Sequence, residues 1–463
     1  MQKLISWIDD RFPLIETWEY HLSKYYAPKN FNVWYYFGSL AVVVLVIQIV
    51  TGIFLTMHYK PDTHLAFASV EYIMRDVDYG RDVDYGWLIR YMHSTGASFF
   101  FITVYLHMFR GLMYGSYRGP RELLWIIGVV IFIALMAEAF MGYLLPWGNM
   151  SYWGAQVIIS LFDAIPYVGH GLSEWIRGDF VVSDATLNRF FAFHVIAVPL
   201  VLIVLVFLHL VALHAVGSNN PDGIEIKKNK GEDGIPLDGI PFHPYYTVGK
   251  DLFGVVVFLM IYSAVVFLGP ELGGIFLEHD NFVPANILQT PPEIKPLWYF
   301  TPFYSILRAT TSDLKPILGA FFGVVGAISA YYSRGKILRV GVIGAIVAVL
   351  ILGLYVLEAK VWGVILMGSS LVVLFFLPWL DQSPVKSVRY RGWIYKLALT
   401  VFVIAFIILG YLGMKTPAGV DLIWFQNKTW AQVFTIIYFS FFFLMPFYTR
   451  WDKTKPVPER VTK

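Results

Sequence analysis

Cysteine is absent from the 463 residues. Its absence excludes disulfides, a thiolate-ligated or covalently attached c-type haem, and a cysteine-bound iron–sulfur cluster within this chain. Charge is scarce too, since Asp, Glu, Lys and Arg make up 14% of the chain and nearly balance at a formal +3. So small a net charge, spread over loops rather than gathered on one face, argues against a nucleic-acid partner. The N-terminal stretch MQKLISWIDDRFPLIETWEY is amphipathic and acidic, unlike a cleaved signal peptide.

What fills the chain instead is apolar: 57% of residues are hydrophobic and the mean hydropathy is +0.61. Runs of about 18 or more apolar residues, each long enough to cross a hydrocarbon core of about 30 Å, define an all-α polytopic membrane protein. Ten spans are predicted, at about 33–57, 87–113, 123–145, 187–214, 251–269, 315–333, 340–357, 361–380, 393–413 and 429–449. Residues 1–30 read as an amphipathic surface helix, with Leu4, Trp7, Ile8, Phe12 and Ile15 at helical spacing. Region 31–220 forms a four-helix bundle, with surface helices within 152–178. Region 221–463 holds the remaining spans, a polar re-entrant loop at 271–312 and a helical hairpin at 315–357. The hexapeptide RDVDYG occurs twice in tandem, at 75–80 and 81–86, as loops tolerate.

Charge bias orients the spans. Arg110, Arg118, Arg121, Lys227, Lys228, Lys230 and Lys250 fall on one side, and Asp76, Asp78, Asp82, Asp84, Glu174 and Asp179 on the other. The positive-inside rule then places both termini in the cytoplasm, a parity that ten spans satisfy.

Four intramembrane histidines organise the bundle. His93 and His107 lie 14 positions apart in the second span, and His194 and His209 lie 15 apart in the fourth. Each interval is about 21–22 Å along a helix and nearly one face of it. Facing helices would bring the imidazoles together at two levels, as a pair of bis-histidine haems stacked through a membrane requires. A lone histidine in an apolar helix is usually a hydrogen-bonded core residue, but ionisable groups at this depth tend to be functional. The first span carries Gly38 and Gly52, and the third Gly128 and Gly142, again 14 apart. Such glycines most often serve helix packing. Here the shared interval points to missing side chains that let two flat macrocycles approach the backbone.

Several long motifs in order then carry a family resemblance: IRYMH…YLHMFRG, GYLLPWGNMSYWGA, RFFAFH…HLVALHAVGSNNP, PFHPYYTVGKD and PPEIKPLWYFTPFYSILRA. From about residue 30 to its end the chain resembles cytochrome b of the bacterial cytochrome bc1 complex. The resemblance implies an outer b-type haem on His93 and His194, an inner one on His107 and His209, and Arg90 and Arg110 beside the haem propionates. It implies quinol oxidation at an outer site that includes Tyr143, Pro146 to Gly148, Tyr299 and Tyr304. One electron would go to a Rieske iron–sulfur protein and one through the haems to an inner quinone site with His214, Ser218, Lys250 and Asp251, in a proton-translocating Q cycle. Cytochrome c1, membrane lipid, a second copy of the complex and a bacterial inner membrane complete the implied setting.

Three features depart from the family pattern. The outer-site motif Pro-Glu-Trp-Tyr here reads Pro296-Leu297-Trp298-Tyr299. Leucine accepts no proton, so Glu293, one helical turn upstream, is the expected acceptor, and Glu293→Gln is expected to slow quinol oxidation with haem content unchanged. The 15-residue histidine interval overshoots whole turns by about 60°, and a bulge near Pro199 is expected to absorb it. The hairpin at 315–357 is an insertion free of ligand residues. Two rivals stand beside this reading. A b6f-type cytochrome b would be divided into two chains and carry a cysteine-attached haem. A transporter with histidine proton relays would be colourless.

Overall fold

The computed structural model describes residues 2–77 and 85–462. Most of the RDVDYG tandem therefore lies outside the described residues. The described residues are mainly helical, with loops between the helices and one two-stranded sheet of β1 (Tyr26–Pro28) and β2 (Gly239–Pro241).

Among the described residues, nine helices are long and apolar enough to cross a membrane. They are α1 (Val33–Thr56), α2 (Gly86–Tyr114), α3 (Glu122–Leu144), α4 (Asp184–Val216), α5 (Phe242–Leu268), α6 (Ser312–Tyr332), α7 (Ile337–Val356), α8 (Ala359–Leu380) and α9 (Trp393–Gly413). A tenth, α10, is formed by Asn427–Phe443 and Met445–Trp451, bent by 63°. Pro446, near the start of the second piece, has no N–H to continue the ladder. Lipid leaves each span no alternative to satisfying its own backbone, which is why these apolar runs are helices. Turn chemistry ends them locally. Helix α2 stops at Gly115 in the left-handed region (φ 66°), where a Cβ would meet the main-chain oxygen of Lys386 at 2.7 Å. Helix α4 begins with Ser183 and Thr186 closing a reciprocal capping box.

The N-terminal segment departs from the single amphipathic helix predicted for 1–30. It is broken into Gln2–Asp9, Leu14–Trp18, a wide turn at Glu19–Ser23 and β1. Pro13 interrupts the first helix, and Asp9 Oδ1 accepts the main-chain N–H of Ile15 at 2.7 Å, turning the chain. Leu4, Trp7, Phe12, Ile15 and Trp18 remain exposed, an apolar face suited to lying on a bilayer surface. Helices Asn149–Ser160 and Gly169–Arg177 occupy the stretch read as surface helices.

The inserted hairpin packs mainly on itself and on the edge of the C-terminal group. Gly326 on α6 admits Val347 of α7, whose Cγ2 lies 2.4 Å from where a Cβ would be. Lys315 Nζ donates to the carbonyl of Leu357 at 2.6 Å, and Phe322 meets Trp362 of α8 at 6.1 Å between ring centroids. Ile337, Val349, Leu352 and Tyr355 face outward.

Candidate functional site

Helix α1 lies against α2, and α3 against α4. The four histidines meet in two pairs. The ring centroids of His93 and His194 are 6.1 Å apart, and those of His107 and His209 are 6.4 Å apart. Two imidazoles sharing one metal through nitrogen bonds of about 2.0 Å would hold their centroids about 6 Å apart, so the separation of each pair would suit a metal held between the two rings.

Each imidazole is backed by one of the four glycines. A Cβ on Gly52 would lie 3.3 Å from His93 Cε1, on Gly38 3.0 Å from His107 Cε1, on Gly128 3.2 Å from His209 Cε1, and on Gly142 2.4 Å from His194 Cε1. The glycines on α1 therefore serve the histidines of α2, and those on α3 serve α4. The bare Cα positions are cradles for the ligand rings, beyond ordinary helix packing.

The odd interval on α4 is absorbed where a bulge was expected. Residues Phe193–Ala197 form a turn of i→i+5 hydrogen bonds directly before Val198, and Pro199 opens the regular helix. One extra residue per such turn rotates the face back, so His194 and His209 align despite 15 steps. The bulge contains His194 itself.

Second partners orient the rings. His93 Nδ1 lies 2.9 Å from Thr51 Oγ1. His194 Nδ1 lies 3.0 Å from both the carbonyl oxygen of Glu138 and its carboxylate Oε1. Glu138 Oε2 is buried without a hydrogen-bond partner. An ionisable residue in the middle of α3 is a signal that the sequence reading passed over. Arg110 Nε is buried and likewise without a hydrogen-bond partner, and its guanidinium stands 4.8 Å over the ring of Tyr35. Arg110 Nη2 lies 3.1 Å from His107 Nδ1, and a buried guanidinium with no carboxylate partner and a free Nε, together with the glycine cradles and imidazole spacing, fits an anionic, flat macrocycle.

One cavity is lined both by the His93–His194 pair with Arg90 and by Tyr143, with Phe276 and Tyr299 of the polar loop and the helix that follows it. The loop is stitched to the start of helix Asn149–Ser160. Asn149 N donates to Val283 O (2.9 Å) and Ala285 N to Trp147 O (3.0 Å). Asn281 Oδ1 accepts Ser151 N at 2.8 Å. Gly148 is required there, since a Cβ would sit 2.2 Å from Asn281 Oδ1. Tyr299 is buried and stacks on Phe101 at 3.9 Å. Tyr304 donates to Ile294 O at 3.0 Å beneath Arg308.

Leu297 lines the cavity where the family motif has a glutamate. Glu293 is exposed on the loop surface and is not among the residues that line the cavity. Sequence reasoning missed Glu278, which is 6% exposed and accepts the Tyr143 hydroxyl at 2.9 Å on Oε2. Burial pushes its carboxyl up to about 7.

The inner candidates divide into two groups. His214 lies 4.4 Å from Tyr25 between ring centroids, and Tyr25 Oη is 3.1 Å from Ser218 Oγ. Asp251 Oδ2 accepts Ser39 Oγ at 3.1 Å, one residue from Gly38. Lys250 Nζ turns to Lys29 O at 3.4 Å. The N-terminal segment carries both Tyr25 and Lys29, and so touches both groups. A second cavity opens here, lined by Tyr20, Tyr25, His214, Lys227 and Lys230.

Paired imidazoles at two depths, each backed by glycine within a bundle of apolar helices, define a polytopic membrane bundle of the bis-histidine type. Two family models match the chain, cytochrome b/b6/petB over residues 22–217 and the C-terminal region of cytochrome b/b6/petD over 284–439. It is 58% identical to cytochrome b of Allochromatium vinosum, covering 99% of this chain and 98% of that protein. A protein of Bradyrhizobium diazoefficiens named cytochrome b/c1 is 39% identical over 99% of this chain and 56% of its own length. A solved hyperthermophilic respiratory Complex III contains a chain that superposes with a TM-score of 0.76 at 33% identity, covering 96% of this chain and 99% of that one. The chain belongs to the cytochrome b family.

Proposed function

We propose that this chain is the di-haem b subunit of a quinol–cytochrome c oxidoreductase in a bacterial inner membrane, with both termini cytoplasmic. The observation that carries this reading is the two-level set of histidine pairs, each ring backed by its own glycine. When bound, the two b haems supply a one-electron path between the membrane faces. His93, His194, His107 and His209 would ligate them, and Arg90 and Arg110 would neutralise their propionates.

At the outer face, Tyr143, Tyr299 and Tyr304 frame a site for quinol at the end of the cavity. One electron leaves to a Rieske iron–sulfur partner and the other inward. At the inner face, His214, Ser218, Lys250 and Asp251 orient a quinone and deliver protons from the cytoplasm, so that turnover moves protons outward. Cytochrome c1 and a second copy of the complex are the remaining partners. The name of the Bradyrhizobium relative, cytochrome b/c1, supports the first of these.

The purified complex is expected to show two b-type low-spin absorption signatures with separate midpoint potentials. A colourless protein would end this reading in favour of a histidine-relay transporter. Glu138 adds a finer expectation. A carboxylate accepting the Nδ1–H of an axial imidazole makes the ligand more basic and favours the ferric state. Glu138→Gln should therefore raise the potential of the outer level alone. An unmoved potential in a redox titration would remove Glu138 from that role.

A further inference from the structure

Within that reading, the outer site lacks the usual proton acceptor, and a different carboxylate stands directly behind its wall, hydrogen-bonded to the lining residue Tyr143. We propose that Glu278, hydrogen-bonded to Tyr143, is the group that takes the proton of the quinol hydroxyl in this protein.

The case is geometric. Phe276, Leu277 and Asn281 all line the cavity, so the loop segment that carries Glu278 is part of the cavity wall. Tyr143, which donates to the carboxylate, lines it as well. Leu297 occupies the position from which the family glutamate would project and is itself 6% exposed. The position at 297 is thus apolar, and the acid at 278 reaches the same space through the Tyr143 hydroxyl. Glu293, by contrast, is exposed and acts electrostatically on Tyr304 and Arg308.

The loop is also held firmly enough to aim the group. Tyr91 Oη donates to Glu271 Oε1 at 3.2 Å, Trp298 Nε1 to Ser98 Oγ at 3.0 Å, and Asn281 Nδ2 to Ser151 Oγ at 2.9 Å. These contacts bracket Glu278 on both sides of the chain.

In the step itself the quinol O–H bond breaks and an O–H bond forms on the Glu278 carboxylate. Transfer is direct, or passes through Tyr143, which gives its own proton to Glu278 and takes the quinol's. The quinol's other hydroxyl proton would leave with the electron that goes to the iron–sulfur partner, and the second electron would pass to the outer haem of the proposed reaction, so that two protons and two electrons leave and quinone remains. A carboxyl near 7 suits the task, because a proton acceptor works best with its pKa near the working pH. The groups facing it are Tyr143, Tyr299, Lys295 and Asp280. Lys295 pulls the carboxyl down and Asp280 pushes it up, while burial dominates. Above about pH 7 the group is ionised and accepts; below it the group is neutral and does not.

The test uses the whole complex with a soluble quinol and cytochrome c. Glu278→Gln should lower quinol oxidation by about 10²-fold and abolish the rise in rate through pH 7, with both haem spectra intact. Adding Leu297→Glu to that variant should restore turnover by returning an acid to the family position. Glu278→Asp keeps the acid and should keep a pH-dependent limb. Full activity of Glu278→Gln with its limb unmoved would overturn the proposal, as would a larger loss in Glu293→Gln than in Glu278→Gln. A wild-type complex without quinol oxidation would instead refute the functional reading on which it rests.

Discussion

Gly142→Val is expected to remove the outer haem while leaving the inner one in place. The Cβ position on Gly142 is 2.4 Å from His194 Cε1, 2.8 Å from Nδ1 and 2.9 Å from Nε2. No flexible side chain can yield there, because the atom in the way is the ligand ring itself. That ring sits in the wide turn Phe193–Ala197, which sets its height on α4. Moving it costs the alignment with His93, and a ligand displaced by about 1 Å no longer completes the pair. The series should be graded. Gly38→Ala, with 3.0 Å to His107 Cε1, is expected to be intermediate, and Gly52→Ala and Gly128→Ala, at 3.3 and 3.2 Å, mildest. Haem b per polypeptide and the potentiometric titration report the outcome. Content should fall from two towards one in Gly142→Val, with the surviving wave belonging to the inner level. Two normal waves in Gly142→Val would show that the glycine serves only helix packing.

The reason the two histidine levels were legible in the sequence is that helices translate spacing into position. A 14-residue interval means the same height and nearly the same face on any helix, so four glycines and four histidines declare two levels before any fold is known. The extra residue before His209 was readable for the same reason, since a departure from the interval has to appear as a local defect, and Pro199 marked the place. Glu278 could not be found that way. It lies 135 positions from Tyr143, in a loop without periodicity, and only the stitching of 281–286 to 147–151 brings the two together. Glu293 was favoured because it is near Leu297 in sequence, and proximity along a loop says little about which side chain faces a cavity. The N-terminal segment failed for another reason. Helical spacing of Leu4 to Ile15 is real, yet Pro13 and the pairing of β1 with β2 outweigh it.

The second large effect concerns stability where the turn between α2 and α3 meets the turn before α9. Asp381, at the end of α8, is 3% exposed. It accepts the hydroxyl of Tyr117 at 2.6 Å, takes a hydrogen bond from Arg391, and has Arg118 Nε at 3.8 Å. Tyr117 and Arg118 belong to the turn between α2 and α3, and Arg391 to the turn before α9. One carboxylate therefore ties the haem-bearing half to the C-terminal half. Burial pushes its carboxyl up, but Arg391, Arg118 and the hydrogen bonds prevail and hold it below the usual carboxylate range. Arg391 is 0% exposed, with its guanidinium 3.8 Å above the Tyr395 ring. Asp381→Ala would strand that buried cation, a loss of about 3–5 kcal/mol. Asp381→Leu combined with Arg391→Leu should recover most of it, because the fully buried cation goes with its partner, and the part-exposed Arg118 keeps its hydrogen bond to Val385 O. Tyr117→Phe removes a single hydrogen bond and should cost about 1 kcal/mol. Since the folded pKa is depressed, the stabilisation is complete above the unfolded value of about 3.9 and is lost as pH falls through the folded one, so the variants should converge with wild type only in strong acid. Thermal loss of the haem bands in detergent measures the series. An Asp381→Ala protein as heat-resistant as wild type would show that the two halves are held by apolar packing alone.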